Sequence, residues 1–125
     1  MAFNQFEEAL KNTDEIEITV TGRKSGRRIS RPVWFVHEGE RLYLLPVKGS
    51  DSDWYKNILK TPAMRLNVGG KEWSVEARPL TDKVKVRDIV EKFRNKYGAD
   101  QVKKYYSKFD VAVEVPLSDT QRRSA

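Results

Sequence analysis

Between two stretches of β-patterned sequence lies Gly22-Arg23-Lys24-Ser25-Gly26-Arg27-Arg28, with Arg31 three residues further on. Two glycines and a serine mark a turn by composition. Glycine's freedom lets successive backbone N–H groups converge on one point and form a concave anion site. No acidic residue stands among Arg23, Lys24, Arg27, Arg28 and Arg31. Arginine grips phosphate or carboxylate through two parallel hydrogen bonds, whereas lysine is a mobile point charge, so the mixture suits a ligand that carries both groups. The plain alternative is a solvated basic hairpin turn, because charge runs are usually exposed faces.

Other chemistry is sparse. Trp34 and Trp54 are candidates for an aromatic wall against a planar ring, or for ordinary core, while Trp73 reads as core. Lys48-Gly49 is either a plain turn or a place where backbone comes close to a ring edge. His37, the single histidine, lies beside a predicted hairpin loop and reads as structural or solvent-facing. Ser25, Ser30 and Ser50 have no histidine partner by motif, which argues against a hydrolase triad. The absence of cysteine removes disulfides, thiolate zinc sites, iron–sulfur clusters and a cysteine nucleophile. No histidine cluster or close carboxylate pair suggests a metal. The formal charge of +6, from 24 Lys and Arg against 18 Asp and Glu, favours an anionic partner.

The elements that must position these residues follow from periodicity. A length of 125 residues fits one domain, read as 1–116 with a polar tail over 117–125. Phe3, Phe6 and Leu10 at helical spacing predict an amphipathic helix over 3–11. Ile16, Ile18 and Val20 alternate with polar residues, predicting a half-buried strand over 15–21. Residues 29–37 read as one strand, covered on both faces and therefore central, and 41–47 as its hairpin return. Ser52 or Asp53 caps a short helix carrying Trp54, Tyr55, Ile58 and Leu59, ended by Pro62. Gly69-Gly70 joins strands around 64–68 and 73–77. Thr81 or Asp82 opens a helix bearing Val86, Ile89, Val90, Phe93 and Tyr97 up to Gly98, and a further short helix holds Val102, Tyr105 and Tyr106. Val111, Val113 and Val115 form the last strand. The expected fold is thus α+β, a six-stranded, mostly antiparallel sheet or partly closed barrel with flanking helices. The short connections between strands argue against βαβ units, and no G-x-G-x-x-G follows a strand.

Thr21-Gly22-Arg23-Lys24-Ser25-Gly26, Pro32-Val33-Trp34-Phe35-Val36, Leu42-Tyr43-Leu44, Lys48-Gly49 and Trp54-Tyr55-Lys56-Asn57 occur in that order. Over residues 21–80 this set resembles the deazaflavin-dependent nitroreductase and quinone reductase family, part of the wider flavin-binding split β-barrel proteins related to pyridoxamine phosphate oxidase. The resemblance implies a split β-barrel holding coenzyme F-420, a deazaflavin with a phosphate and a tail of glutamates. It places Arg23, Lys24 and Ser25 at the phosphate and acidic tail. It places Pro32 and Trp34 beside the ring together with Pro46, Val47, Lys48 and Gly49, and lets Trp54, Tyr55 and Asn57 complete the pocket. Ile29 stands where the family often has an arginine, with Arg28 and Arg31 as its substitutes. Beyond Leu80 the similarity fades, and Tyr97, Tyr105 and Tyr106 carry no assignment.

The expected activity is hydride transfer from the reduced deazaflavin to a quinone, nitro compound or activated alkene, with no catalytic residue assigned. In such a reductase the cofactor carries the difficult chemistry and the polypeptide binds, orients and excludes water. The alternatives are the same barrel using FMN, a nucleic-acid-binding module with basic and aromatic residues interleaved, or a carrier that binds the cofactor without turnover. Nucleic acid is not the expected partner, because the aromatics alternate into predicted buried faces. The chain contains no apolar run of membrane-spanning length, and its first residues lack a signal peptide's pattern, so the expected location is cytoplasmic. A homodimer is compatible with the resemblance.

Overall fold

The structure is a computed structural model and describes residues 8–117. Residues 8–11 are helical, with Leu10 buried; the rest of the helix expected over 3–11, and residues 118–125 of the expected tail, lie outside the described residues. The strands are β1 (Ile16–Thr21), β2 (Arg28–Val33), β3 (Phe35–Glu38), β4 (Arg41–Leu44), β5 (Ala63–Val68), β6 (Lys71–Glu76), β7 (Arg78–Leu80) and β8 (Ala112–Pro116). The helices are α1 (Asp53–Lys60), α2 (Lys83–Tyr97) and α3 (Ala99–Tyr105), with a 3-10 turn at Gly49–Asp51. The strands make two four-stranded antiparallel sheets, ordered β2-β1-β5-β6 and β3-β4-β8-β7.

The α+β class and the antiparallel pairing agree with expectation, but eight strands in two four-stranded sheets replace the six strands expected in one sheet or partly closed barrel. The single strand expected over 29–37 breaks at Trp34. Val33 pairs with Ile16 of β1, and Phe35 pairs with Leu44 of β4, so the backbone changes partner sheet across one residue. The same happens at Ala77, between β6 and β7, where the Ala77 N–H donates to Pro62 O at 2.9 Å. Strands that switch sheets make the corners of such packings. The 29–37 segment is also an edge in both sheets, where a central position was expected. Its two apolar faces arise because Phe35 enters one core and Val36 the other.

The second sheet is the layer between those cores. Leu42, Leu44, Val113 and Val115 face the first sheet and α1, while Tyr43, Leu45 and Ala112 face α2 and α3. Burial on both faces explains why 42–45 is a continuous apolar run with no alternation. Helix α2 presents Val86, Ile89, Val90 and Phe93 at the spacing of one helical face. It is capped by Asp82, whose Oδ1 accepts from Val84 N at 2.8 Å and Lys85 N at 3.3 Å. Helix α1 has Ser52 at its N-cap position, but that hydroxyl accepts from Lys48 N at 2.8 Å and does not cap the helix. Leu117, expected in the tail, is fully buried, and its N–H donates to Glu40 O at 2.8 Å.

Phe35 is fully buried next to the corner. Phe35→Ala is expected to lower the free energy of unfolding by about 3–5 kcal/mol, through lost transfer energy and the cavity left behind. Urea titration followed by tryptophan fluorescence measures it.

Candidate functional site

The basic turn is built by bonds to itself and to α1. Gly22 N donates to Arg27 O at 2.7 Å, Gly26 N to Gly22 O at 2.9 Å, and Arg27 N to Ser25 Oγ at 3.2 Å. Gly26 has a φ of +74°, where a side chain is strained. Arg23 is docked onto α1. Its N–H and its Nη1 both donate to Asn57 Oδ1, at 3.1 and 2.8 Å, its Nη2 lies 3.6 Å from Asp53 Oδ1, and its carbonyl accepts from Lys60 Nζ at 2.9 Å. Along the chain the turn has no acidic neighbour; in space Asp53 is one.

This arrangement divides the expected residues into two groups. Arg23 and the buried Asn57 hold the turn in place. The turn's N–H groups at Gly22, Arg23, Gly26 and Arg27 are spent on these bonds, while those of Lys24 and Ser25 donate to no acceptor among the described residues.

Arg23, Lys24, Ser25, Arg31, Trp54 and Asn57 line a hollow of about 300 Å³ together with Gly22, Ile29 and Asp53. A second hollow of about 530 Å³ is mainly apolar, with Pro32, Trp34, Leu45, Val47 and Trp54 in its wall. Arg31 and Trp54 line both, so the cationic hollow and the apolar cleft adjoin. The register explains Arg31: it stands opposite Ile18 on an edge strand, on the inner face with Ile29 and Val33, and emerges where the two hollows meet. Arg28 is one strand position out of phase. It lines a separate hollow with Thr19, Thr21, Arg65 and Ser74, and the structure does not bring it to the cleft.

The segment after β4 contributes less than the resemblance implies. Of Pro46, Val47, Lys48 and Gly49, Val47 alone lines the cleft. Gly49 has a φ of +54°, and a Cβ there would clash with Asp110 Oδ1, so its neighbour is a carboxylate and not a ring. Asp110 accepts from Ser50 N at 2.9 Å and from Ser50 Oγ at 2.5 Å. Although burial pulls its carboxyl up, these bonds and the charge of Lys108 hold it below the ordinary carboxylate value. Tyr55 likewise stays out of the cleft, buried in the first core, where desolvation pushes its phenol up.

Six cleft residues carried no site assignment from sequence: Glu15 just before β1, Val33 of β2, Leu45 just after β4, and Gln101, Tyr105 and Tyr106 of α3 and its end. The helical spacing of the last three reads only as a short amphipathic helix, and no local signal says that it closes over Trp34. The Trp34 indole stacks on Tyr97 at 4.3 Å and 8° and meets Tyr105 edge-on at 5.5 Å. The Tyr97 hydroxyl accepts from Phe35 N at 3.1 Å and has Phe35 O and Asp14 O within 2.9 Å, so it fastens α2 to the corner. Desolvation is the main cause that raises its phenol to about 12, and burial raises the Tyr106 phenol strongly as well. The single histidine bonds Gly39 O through Nε2 at 2.8 Å, away from the cleft. Among the described residues no group of His, Asp and Glu could hold a metal ion.

A family model described as an uncharacterized protein conserved in bacteria (DUF2255) matches residues 8–115. The chain belongs to this family. An F420H(2)-dependent quinone reductase of Mycobacterium tuberculosis is 29% identical over 63 residues, 48% of this chain and 42% of that protein. The match therefore spans less than half the length of that relative. The solved structure of an F420-H2 dependent reductase, FDR-A, superposes with a TM-score of 0.63 at 21% identity, covering 82% of this chain and 93% of that one. A Listeria innocua protein described as a pyridoxamine 5'-phosphate oxidase gives a TM-score of 0.68 at 14% identity, covering 94% of this chain and 95% of its own. The resemblance to the deazaflavin-dependent reductases read from residues 21–80 is thus supported in sequence, and the pyridoxamine phosphate oxidase-like fold in structure.

In this DUF2255 member, Asn57→Ala removes the acceptor that holds Arg23. It is expected to cost about 1–3 kcal/mol of stability, measured by urea unfolding, because the Arg23 N–H is left without its partner. The raised phenols give a second expectation. Below the unfolded tyrosine value of about 10 the phenol is neutral in both the native and the unfolded chain, and above it the phenol of the unfolded chain ionises first. Stability is therefore lost as pH rises from about 10 through the native Tyr97 value of about 12. Denaturation midpoints across that range check it, with Tyr97→Phe showing a shallower fall.

Proposed function

We propose that this chain is an oxidoreductase that binds the deazaflavin coenzyme F-420 and passes reducing equivalents to a small acceptor, a quinone, nitro compound or activated alkene. The observation that carries the reading is the adjoining of a cationic hollow and an apolar cleft through two shared residues, Arg31 and Trp54. Ligand sites are typically clefts of about 300–1,000 Å³, mostly apolar with a few convergent polar groups. The residues present fit a flat ring joined to an anionic chain. The relatives named as F420H(2)-dependent quinone reductases support the same reading.

In this assignment Lys24, the Ser25 N–H and Arg31 hold the phosphate and acidic tail, Lys24 as a mobile charge and Arg31 as a planar fork. Arg23 and Asn57 position the turn. Pro32, Trp34, Val47 and Trp54 enclose the ring and exclude water from it. When bound, the reduced deazaflavin supplies the hydride. Tyr105 and Tyr106 are the cleft residues with a hydroxyl to offer the acceptor, and burial keeps the Tyr106 proton in place.

Fluorescence titration with F-420 and with FMN tests the reading. F-420 is expected to bind in the range of about 1 μM to 1 mM, where ordinary KM values lie, and to support reduction of a naphthoquinone. Tighter binding of FMN transfers the site to a flavin, and binding of neither overturns the proposal. Lys24→Ala is expected to weaken F-420 binding about fivefold at low salt and less at high salt, since an exposed charge is screened. Arg31→Ala weakens it further, and Arg28→Ala leaves it unchanged.

A further inference from the structure

A hollow of about 600 Å³, at least as roomy as the cleft, lies between α2 and the segment that leads into β8, and it shares no lining residue with the cleft or the cationic hollow. Its floor is Val86 and Val90, buried one helical turn apart on α2, and its wall is Phe109, which remains 36% exposed. Around this apolar surface stand Lys83, Arg87 and Arg94. Arg94 is committed: it pairs with Glu91, and its guanidinium lies 5.9 Å from the Phe109 ring centre. Lys83 and Arg87 form no ion pair among the described residues. The other carboxylate in the hollow, Asp110, is committed to Ser50 and Lys108. The charge left facing an apolar floor is therefore positive and unneutralised.

This hollow is one aromatic ring away from the cleft. Phe109 stacks on Tyr106 at 6.3 Å and 27°, and Tyr106 lines the cleft 5.9 Å from Trp34. The Asp110 bonds to Ser50 tie the same segment to the loop that carries Val47. A ring seated against Phe109 is therefore one aromatic contact from Tyr106 and two from Trp34.

The geometry points to a second binding site for a small aromatic carboxylate, with its ring against Val86, Val90 and Phe109 and its carboxylate at Lys83 and Arg87, coupled to the cleft through the Phe109–Tyr106 stack. Arginine is suited to hold the carboxylate through two parallel hydrogen bonds, and Phe109 offers a face or edge to the ring. The inference rests on this hollow alone and stands whether or not the cleft binds a deazaflavin.

The probe is 2-naphthoate, titrated into the ¹⁵N-labelled full chain with 2-naphthamide as its uncharged counterpart. Saturable shifts are expected at the Val86, Arg87, Val90 and Phe109 amides. Binding should be at least fivefold weaker for the amide and for Arg87→Ala, and that variant should leave the amide's affinity unchanged. At saturation the Trp34 indole signal should move with the same affinity, and in Phe109→Leu, which keeps an apolar wall without the ring, it should stay still. Shifts confined to Val47, Trp54 and other cleft residues, or equal naphthoate affinity in Arg87→Ala, overturn the site. A Trp34 signal that stays fixed at saturation, or moves equally in Phe109→Leu, overturns the coupling.

Discussion

At Trp34 the backbone leaves one sheet and joins the other. Val33 is hydrogen-bonded into the ladder with β1, and Phe35 into the ladder with β4, so the residue between them has no ladder of its own. That single constraint puts Arg31, Pro32 and Trp34 at a corner where two edge strands meet, with space opening on the inner side. The corner is held from above by Tyr97, whose hydroxyl bonds the Phe35 backbone, and by Lys96, which donates to Phe35 O at 2.7 Å and lies 3.7 Å from the Phe35 ring centre. Desolvation lowers the Lys96 pKa, the cost of placing an ammonium there. The cleft next to the sheet switch is thus lined by residues whose first task is to turn the chain.

The basic turn shows how one run of like charges is divided by its surroundings. Arg23 is gripped by Asn57 and faced by Asp53 at the wall of the hollow, while Lys24 and Arg31, which line the same hollow, form no ion pair among the described residues. Arg28 points into another hollow because strand alternation sends neighbours at odd spacing to opposite faces. Five cations counted along the sequence are therefore neither equivalent nor all in one place.

Much of the fold could be read from periodicity, since alternation at Ile16, Ile18 and Val20 and helical spacing at Val86, Ile89, Val90 and Phe93 are local signals of burial. The two sheet switches could not, because nothing in Val33-Trp34-Phe35 or Glu76-Ala77-Arg78 differs from an uninterrupted strand. The basic turn was legible as composition. The closure of α3 over Trp34 is a tertiary fact, and so the tyrosines of the cleft carried no sequence assignment. Gly49 was singled out for the right property, its freedom from a Cβ, but the group that needs the space is Asp110.

The strand β2 is an open border of the first sheet, and it carries Arg28, Arg31 and Pro32. Proline has no N–H to offer an incoming strand, and like-charged arginines resist the approach of a second copy of the same edge. On the opposite border of the second sheet, β7 repeats the device with Arg78 and Pro79. The cations that face the hollows thereby also guard the molecule against runaway strand-to-strand self-association, and a variant that trades them for apolar residues would risk solubility along with affinity.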